Sequence, residues 1–125
     1  MRTIKFRGKD LETGEWVYGD LFQRMGYMPS ILYPYEHNGK VCYAECAVKR
    51  ETVGQFTGLM DKNGKEIYEG DIYHYDNPDS INEVSYCAGG GFAGFDFTPA
   101  KHSENRLLDV EVIGNIHDNP ELLNN

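Results

Sequence analysis

Three cysteines, four histidines and a surplus of carboxylates are what this chain offers for chemistry. Cys42 and Cys46 have three residues between them, a spacing that one half of a zinc knuckle permits. The second half is missing. Cys87 stands alone, and His37 and His74 lie in no ligand motif. On a strand, positions four apart share a face about 13 Å apart, too far to hold one zinc ion. No metal is therefore expected, and the thiols read as reduced and structural. His117-Asp118 invites comparison with metal phosphohydrolases. That chemistry needs more His and Asp from other helices, and Asp118 is better used as a helix cap. No Gly-x-Ser-x-Gly elbow occurs. Cys87 would need a His base beside it, which the sequence does not place. Gly89-Gly90-Gly91-x-x-Gly94 superficially matches a phosphate-binding loop. It lacks the Gly-Lys-Ser/Thr ending and a following helix, so it reads as a loose hairpin tip. The expectation is a protein without catalytic residues, without cofactor and without metal, and so not an enzyme.

The elements that would position any site are mostly strands. Ile4 and Phe6 alternate with Lys5 and Arg7, a strand with one wet face. The turn residues 10–15 lead into Trp16–Phe22, with Trp16, Tyr18 and Phe22 on one side and Val17 and Leu21 on the other. Gly26, Pro29 and Pro34 break any helix in residues 23–50. There, Asn38-Gly39 joins Ile31–Tyr35 to Val41–Ala47 as a hairpin. Val53–Leu59 is a strand, 61–65 a loop with Gly64 where φ > 0 is needed, and Glu66–Tyr68 the return strand. A turn at 69–71 precedes Ile72–Tyr75. Asn82–Cys87 and Phe92–Phe97 are predicted to form a third hairpin, 99–105 a polar connector, and Val110–Ile116 the last strand. Asp118 or Asn119 can cap a short C-terminal helix that begins at Pro120 and tucks Leu122 and Leu123 onto the core.

The chain has 125 residues, 40% of them apolar, 26% charged and 13% aromatic. That suits one globular domain with a core of its own, and the aromatic share leans toward β structure. No stretch approaches the roughly 20 apolar residues of a membrane helix. The N-terminal residues show no apolar h-region, so the expected location is the cytoplasm. The net charge of −8 is uneven: residues 1–65 sum to +2 and residues 66–125 to −10. The acidic half would repel phosphate backbones, although Arg2, Lys5, Arg7 and Lys9 form a small basic segment.

Three segments resemble one known family. They are Lys5-Phe6-Arg7-Gly8-Lys9 with Gly14-Glu15-Trp16-Val17-Tyr18-Gly19, the run from Val53 to Ile72, and the run from Val112 to Leu123. In this order they are similar to the YopX family of phage and prophage proteins, most weakly at 23–50 and 98–108. The resemblance implies a mainly β fold, an SH3-like β-barrel in the C-terminal part with an all-β N-terminal portion before it, and the residues themselves add the one short C-terminal helix. The expected organisation is a single domain over 1–125, with the N-terminal β portion at 1–52 and the barrel portion at 53–125. About five short strands are expected in 66–125. The resemblance also implies a bacterial host cell as the setting. It carries no established activity, so no catalytic residue is transferred.

These readings favour a non-catalytic module that binds a protein partner or assembles with itself, as a homo-oligomer for instance. Tyr27, Tyr33, Tyr35 and Tyr43 supply an aromatic surplus of the kind found at interfaces. The alternative is a nucleic-acid-associated or DNA-mimic accessory protein. The basic first strand supports it, while the acidic half opposes direct nucleic-acid contact. No membrane association is expected.

Overall fold

The structure is a computed structural model, and it describes residues 4–87, 91–93 and 106–123. The chain divides into two compact units, Met1–Gln55 and Phe56–Asn125. Both are mainly antiparallel β.

Unit 1 is a meander. Strand β1 (Phe6–Lys9) pairs with β2 (Trp16–Phe22), β2 with β3 (Ser30–His37), and β3 with β4 (Lys40–Ala47). Each turn is written in the sequence. Asp10 Oδ1 accepts the Glu12 and Thr13 N–H groups at 2.7 and 3.3 Å, an Asx turn that brings β2 back on β1. Asn38 and Gly39 take φ of 51° and 77°, the two left-handed positions of a type I′ hairpin. After β4 the chain crosses back: Val48 is fully buried, and Lys49 N–H bonds the Lys9 carbonyl at 2.8 Å. Two glycines are dictated by contact. A Cβ on Gly8 would stand 2.9 Å from Val48 Cβ, and one on Gly19 would run into the Leu32 carbonyl oxygen.

Strand β5 (Gly54–Met60) passes from one unit to the next. Gly54 and Gln55 pair with Arg7 and Phe6 in unit 1, whereas Phe56 and Met60 pair with Tyr68 and Glu66 on β6 (Glu66–Tyr68) in unit 2. The register slips between these two rungs. Gly58, at φ 89°, takes up the slip as a bulge. Inside it, the buried Thr57 hydroxyl donates to the Ile67 carbonyl at 2.9 Å.

The remaining strands of unit 2 are β7 (Asp71–Tyr75), β8 (Asn82–Glu83), β9 (Ser85–Cys87), β10 (Gly91–Ala93) and β11 (Val110–Asn115). β7 lies between β11 and β8, while β9 pairs with β10. Six strands are therefore described in 66–125, where about five were expected. The extra one arises at Val84, predicted to lie inside one strand. Val84 N–H bonds the Asp71 carbonyl at 2.8 Å and its carbonyl accepts Gly70 N–H at 2.9 Å. This ties it to the start of β7 and divides the strand. No closed barrel forms among the described residues. The third hairpin is present as β9–β10, and its predicted extension through Phe97, with the 99–105 connector, lies outside the described residues.

Leu59, Ile67, Tyr73, Val84, Leu107, Val110 and Val112 form the core of unit 2. Each fully buried side chain of this kind stabilises by roughly 1.5–3 kcal/mol before chain entropy is counted. Asp61 clamps that core. It is 1% exposed; Oδ1 accepts the N–H groups of Asn63 and Lys65 and Oδ2 that of Val112, each at 2.9 Å.

The chain closes on a 3₁₀ turn, Pro120–Leu123, with Leu122 half-buried and Leu123 39% exposed. Asp118 and Asn119 are engaged elsewhere. Asn115 Oδ1 accepts the His117 and Asp118 N–H groups at 3.0 and 2.9 Å, its Nδ2 donates to Asp118 Oδ2, and its own N–H reaches Asn119 Oδ1. An asparagine-centred turn thus holds the residues read from sequence as caps.

Candidate functional site

The residues singled out for chemistry are dispersed. Cys42 and Cys46 lie on one strand, β4, as expected. The Cys46 thiol donates to Asp10 Oδ2 at 3.1 Å. Burial, reinforced by that carboxylate, pushes the thiol up to about 11, while the Asp10 carboxyl is held below its usual range by the Glu12 N–H and the thiol. Cys46 is thus a weak nucleophile. His37 sits at the hairpin tip, 3.3 Å from the Asn38 amide. His117 is engaged through its backbone in the Asn115 turn. Among the described residues, no group of three His, Cys, Asp or Glu could hold a metal ion. The Cys87 side chain and the glycines at 89, 90 and 94 lie outside what is described.

Unit 2 carries an open cleft of about 290 Å³ whose walls include Lys62, His74, Asp76, Asp109 and Glu111. His74 Nδ1 is 2.7 Å from the Ser80 carbonyl, which fixes that nitrogen as the donor and leaves Nε2 as the acceptor in the neutral ring. Lys62 and Glu111 form a 3.9 Å surface ion pair, an interaction of small energy. The cleft offers carboxylates, an imidazole and an ammonium on a wet surface, with no Ser, Thr or Cys among the described residues that line it.

A different feature stands out in unit 1. Residues opposite one another across antiparallel strands share a face. The register sets Asp20 against Leu32, Phe22 against Ser30, Pro34 against Tyr43 and Glu36 against Val41. By alternation Tyr18, Phe22, Pro34, Val41 and Tyr43 all project from one face. Tyr43 and Val41 are 69% and 68% exposed, Tyr18 and Phe22 46% and 41%. Arg24 borders the patch, its guanidinium 5.1 Å from the Phe22 ring and 5.3 Å from Tyr27, and bonded to Glu45 at 2.8 Å. Exposed apolar side chains gathered on one sheet face mark contact surfaces, and here Asp20, Glu36 and Glu45 stand among them. Of the four tyrosines noted in the sequence, Tyr43 lies on this face and Tyr27 beside it, whereas Tyr33 and Tyr35 fall on the opposite face with Cys42 and Ala44. The sequence sets Tyr18 and Phe22 on one side of β2, as the structure has it, but does not join them and Val41 into a contact face. The Asn-Gly turn held the signal, because it fixes the register that aligns them.

Residues 5–124 match the family model described as YopX protein. The chain belongs to the YopX family. A solved structure, "Crystal structure of protein EF1440 from Enterococcus faecalis", is similar at 29% identity, with 98% of this chain and 99% of that one covered and a TM-score of 0.61. A search of curated proteins found no match.

The central and C-terminal YopX-like segments map onto scaffold. Val53–Ile72 supplies the Gly58 bulge, the Asp61 clamp and the Gly70 turn, where Asp71 Oδ2 accepts Tyr68 N–H at 2.8 Å. Val112–Leu123 supplies most of β11 and the Asn115 turn. On the exposed face, Pro34, Val41 and Tyr43 come from residues 23–50, whereas Tyr18 lies within the YopX-like segment Gly14–Gly19 and Phe22 just beyond it.

Proposed function

We propose that the protein is a non-catalytic module that acts by contact, binding a protein partner or assembling with its own copies. The observation that carries this reading is the exposed aromatic face of unit 1, centred on Phe22 and Tyr43. Asp10, Asp61, Asp71 and Asp118, by contrast, are engaged in turns and clamps. We read unit 2 as an open relative of the SH3-like barrel, supported by its short, sharply turned antiparallel strands. Origin in a phage or prophage rests on the family resemblance, and action in the cytoplasm of a bacterial host is carried over from the sequence as an expectation. The nucleic-acid alternative loses support at its strongest point. Arg7 of the basic first strand is 5% exposed and its guanidinium lies 4.5 Å over the Trp16 ring, so it is not presented to phosphate.

The test compares the native chain with a Tyr18→Asp/Phe22→Asp variant, by light scattering and by capture from host lysate. Native-type circular dichroism establishes that the variant folds. The native protein should retain a specific partner or assemble through this face, and the folded variant should lose that contact. A native protein that stays monomeric and retains nothing would defeat the reading.

A further inference from the structure

Strand β4 is the edge of the unit 1 sheet, with β3 on one side and no strand on the other among the described residues. Hairpin geometry says which of its backbone groups are unused. A two-residue type I′ loop is closed by a hydrogen-bonded pair, here His37 and Lys40, and such pairs alternate with non-bonded ones. Tyr35–Cys42, Tyr33–Ala44 and Ile31–Cys46 are therefore bonded rungs, and Val41, Tyr43 and Glu45 turn their N–H and C=O groups away from β3. Pro34, which has no N–H, falls opposite Tyr43 in a non-bonded rung. Farther along, the Ala47 carbonyl is taken by Leu11 N–H at 3.0 Å. The open stretch thus runs from Val41 to Glu45. Two of the usual protections are missing: β4 contains no proline, and its register with β3 runs from Lys40 to Ala47 without a shift, so only the charges of Lys40 and Glu45 guard it.

We propose that this edge pairs with the same edge of a second copy, antiparallel about a two-fold axis at Tyr43, a partner choice that rests on the binding-module reading. Tyr43 then faces Tyr43 of the second copy, and Val41 faces Glu45 on either side. Three rungs form, with about six backbone hydrogen bonds. The match is self-contained, because the open residues are symmetric about Tyr43 and each outward donor meets an outward acceptor. Charge also selects a second copy at this location. Residues 1–55 carry eight Lys/Arg and seven Asp/Glu, a net +1, whereas residues 56–125 carry four and thirteen, a net −9. Copies that meet through unit 1 bring near-neutral surfaces together, while contact through unit 2 would oppose two strongly acidic ones. Cys42 and Ala44, small residues on the other face, leave room for the strands to approach.

The test uses the full chain across about 1–200 μM, a range that brackets typical weak dimers, in analytical ultracentrifugation and amide hydrogen exchange. A dimer is expected, with the amides of Val41, Tyr43 and Glu45 protected in a concentration-dependent way. Tyr43→Lys sets two like charges opposite each other and should weaken the dimer at least tenfold; its melting curve shows that the fold survives. Val41→Lys faces Glu45 in this register and should keep the dimer, which a general effect of added charge would not do. A dimer indifferent to Tyr43→Lys, or edge amides protected equally at every dilution, overturns the proposal. The first places the interface elsewhere, and the second means the chain covers its own edge. A monomer that nonetheless captures a host protein through the aromatic face ends this proposal but leaves the binding-module reading standing. A monomer that captures nothing ends both.

Discussion

Removing the Asp61 carboxylate tests the clamp directly. Bonds to a charged acceptor are worth about 1.5–3 kcal/mol each. Asn63 and Lys65 are exposed, so their N–H groups can turn to water once the carboxylate is gone. Val112 is 9% exposed and its N–H, 2.9 Å from Oδ2, would be left inside. Asp61→Ala should therefore cost about 3–5 kcal/mol, the upper part coming from the loosened 61–65 loop. Asp61→Asn keeps the shape but turns one oxygen into a donor, which sets N–H against N–H; about 2 kcal/mol is expected. For a chain of this length these losses lower the melting temperature by about 10–15 °C and 5–8 °C. Calorimetry and urea unfolding followed by circular dichroism would measure both, and amide exchange at Val112 would localise the loss. If both variants melt within about 2 °C of the native chain, the carboxylate is not what secures β11.

Cys46 should resist alkylation until the pH nears 11, because burial and then the Asp10 carboxylate disfavour its thiolate; mass spectrometry should find it modified earlier in Asp10→Asn. Burial first, and Tyr75 second, pushes Tyr73 up to about 12 from a usual 10. Its contribution to stability is therefore complete below pH 10 and lost as the pH rises toward 12; Tyr73→Phe should flatten that part of the alkaline denaturation profile. Gly19→Ala should disrupt β2–β3 pairing, since the new methyl meets the Leu32 carbonyl, and a melting loss below about 1 kcal/mol would contradict that steric argument. Deleting 119–125 removes the half-buried Leu122 and the Asn119 side chain that receives Asn115 N–H. A drop of about 1–3 kcal/mol in urea unfolding is expected, and an unchanged midpoint would show the tail to be dispensable for folding.

Local chemistry was legible in the sequence and distant chemistry was not. Asn38-Gly39, Gly64 and Gly70 announce their turns because each needs a left-handed backbone that few residues adopt. The strands they join were found with nearly correct bounds. Asp61 falls in the loop read from sequence at 61–65, but its bond to Val112 spans 51 positions and no local pattern encodes it. Val84 reads as one more apolar strand residue; its attachment to the start of β7 depends on tertiary pairing. The aromatic face was half legible. Tyrosines can be counted, but which of them share a face follows from register, and one step of slip would exchange the two sets.

The order of the strands has a consequence for synthesis. Unit 1 is built from neighbours in sequence, so it can form as soon as residue 55 has left the ribosome. Unit 2 cannot. Its central strand β7 takes β11 as a flank, and the core opened by Leu59 closes only with Val110 and Val112. A chain that stops before β11 would carry one finished half and one open half, with Ile67, Tyr73 and Val84 uncovered and the Asp61 carboxylate short of a partner. Copies truncated there would expose apolar surface to proteases and chaperones, because the core of unit 2 closes only with β11.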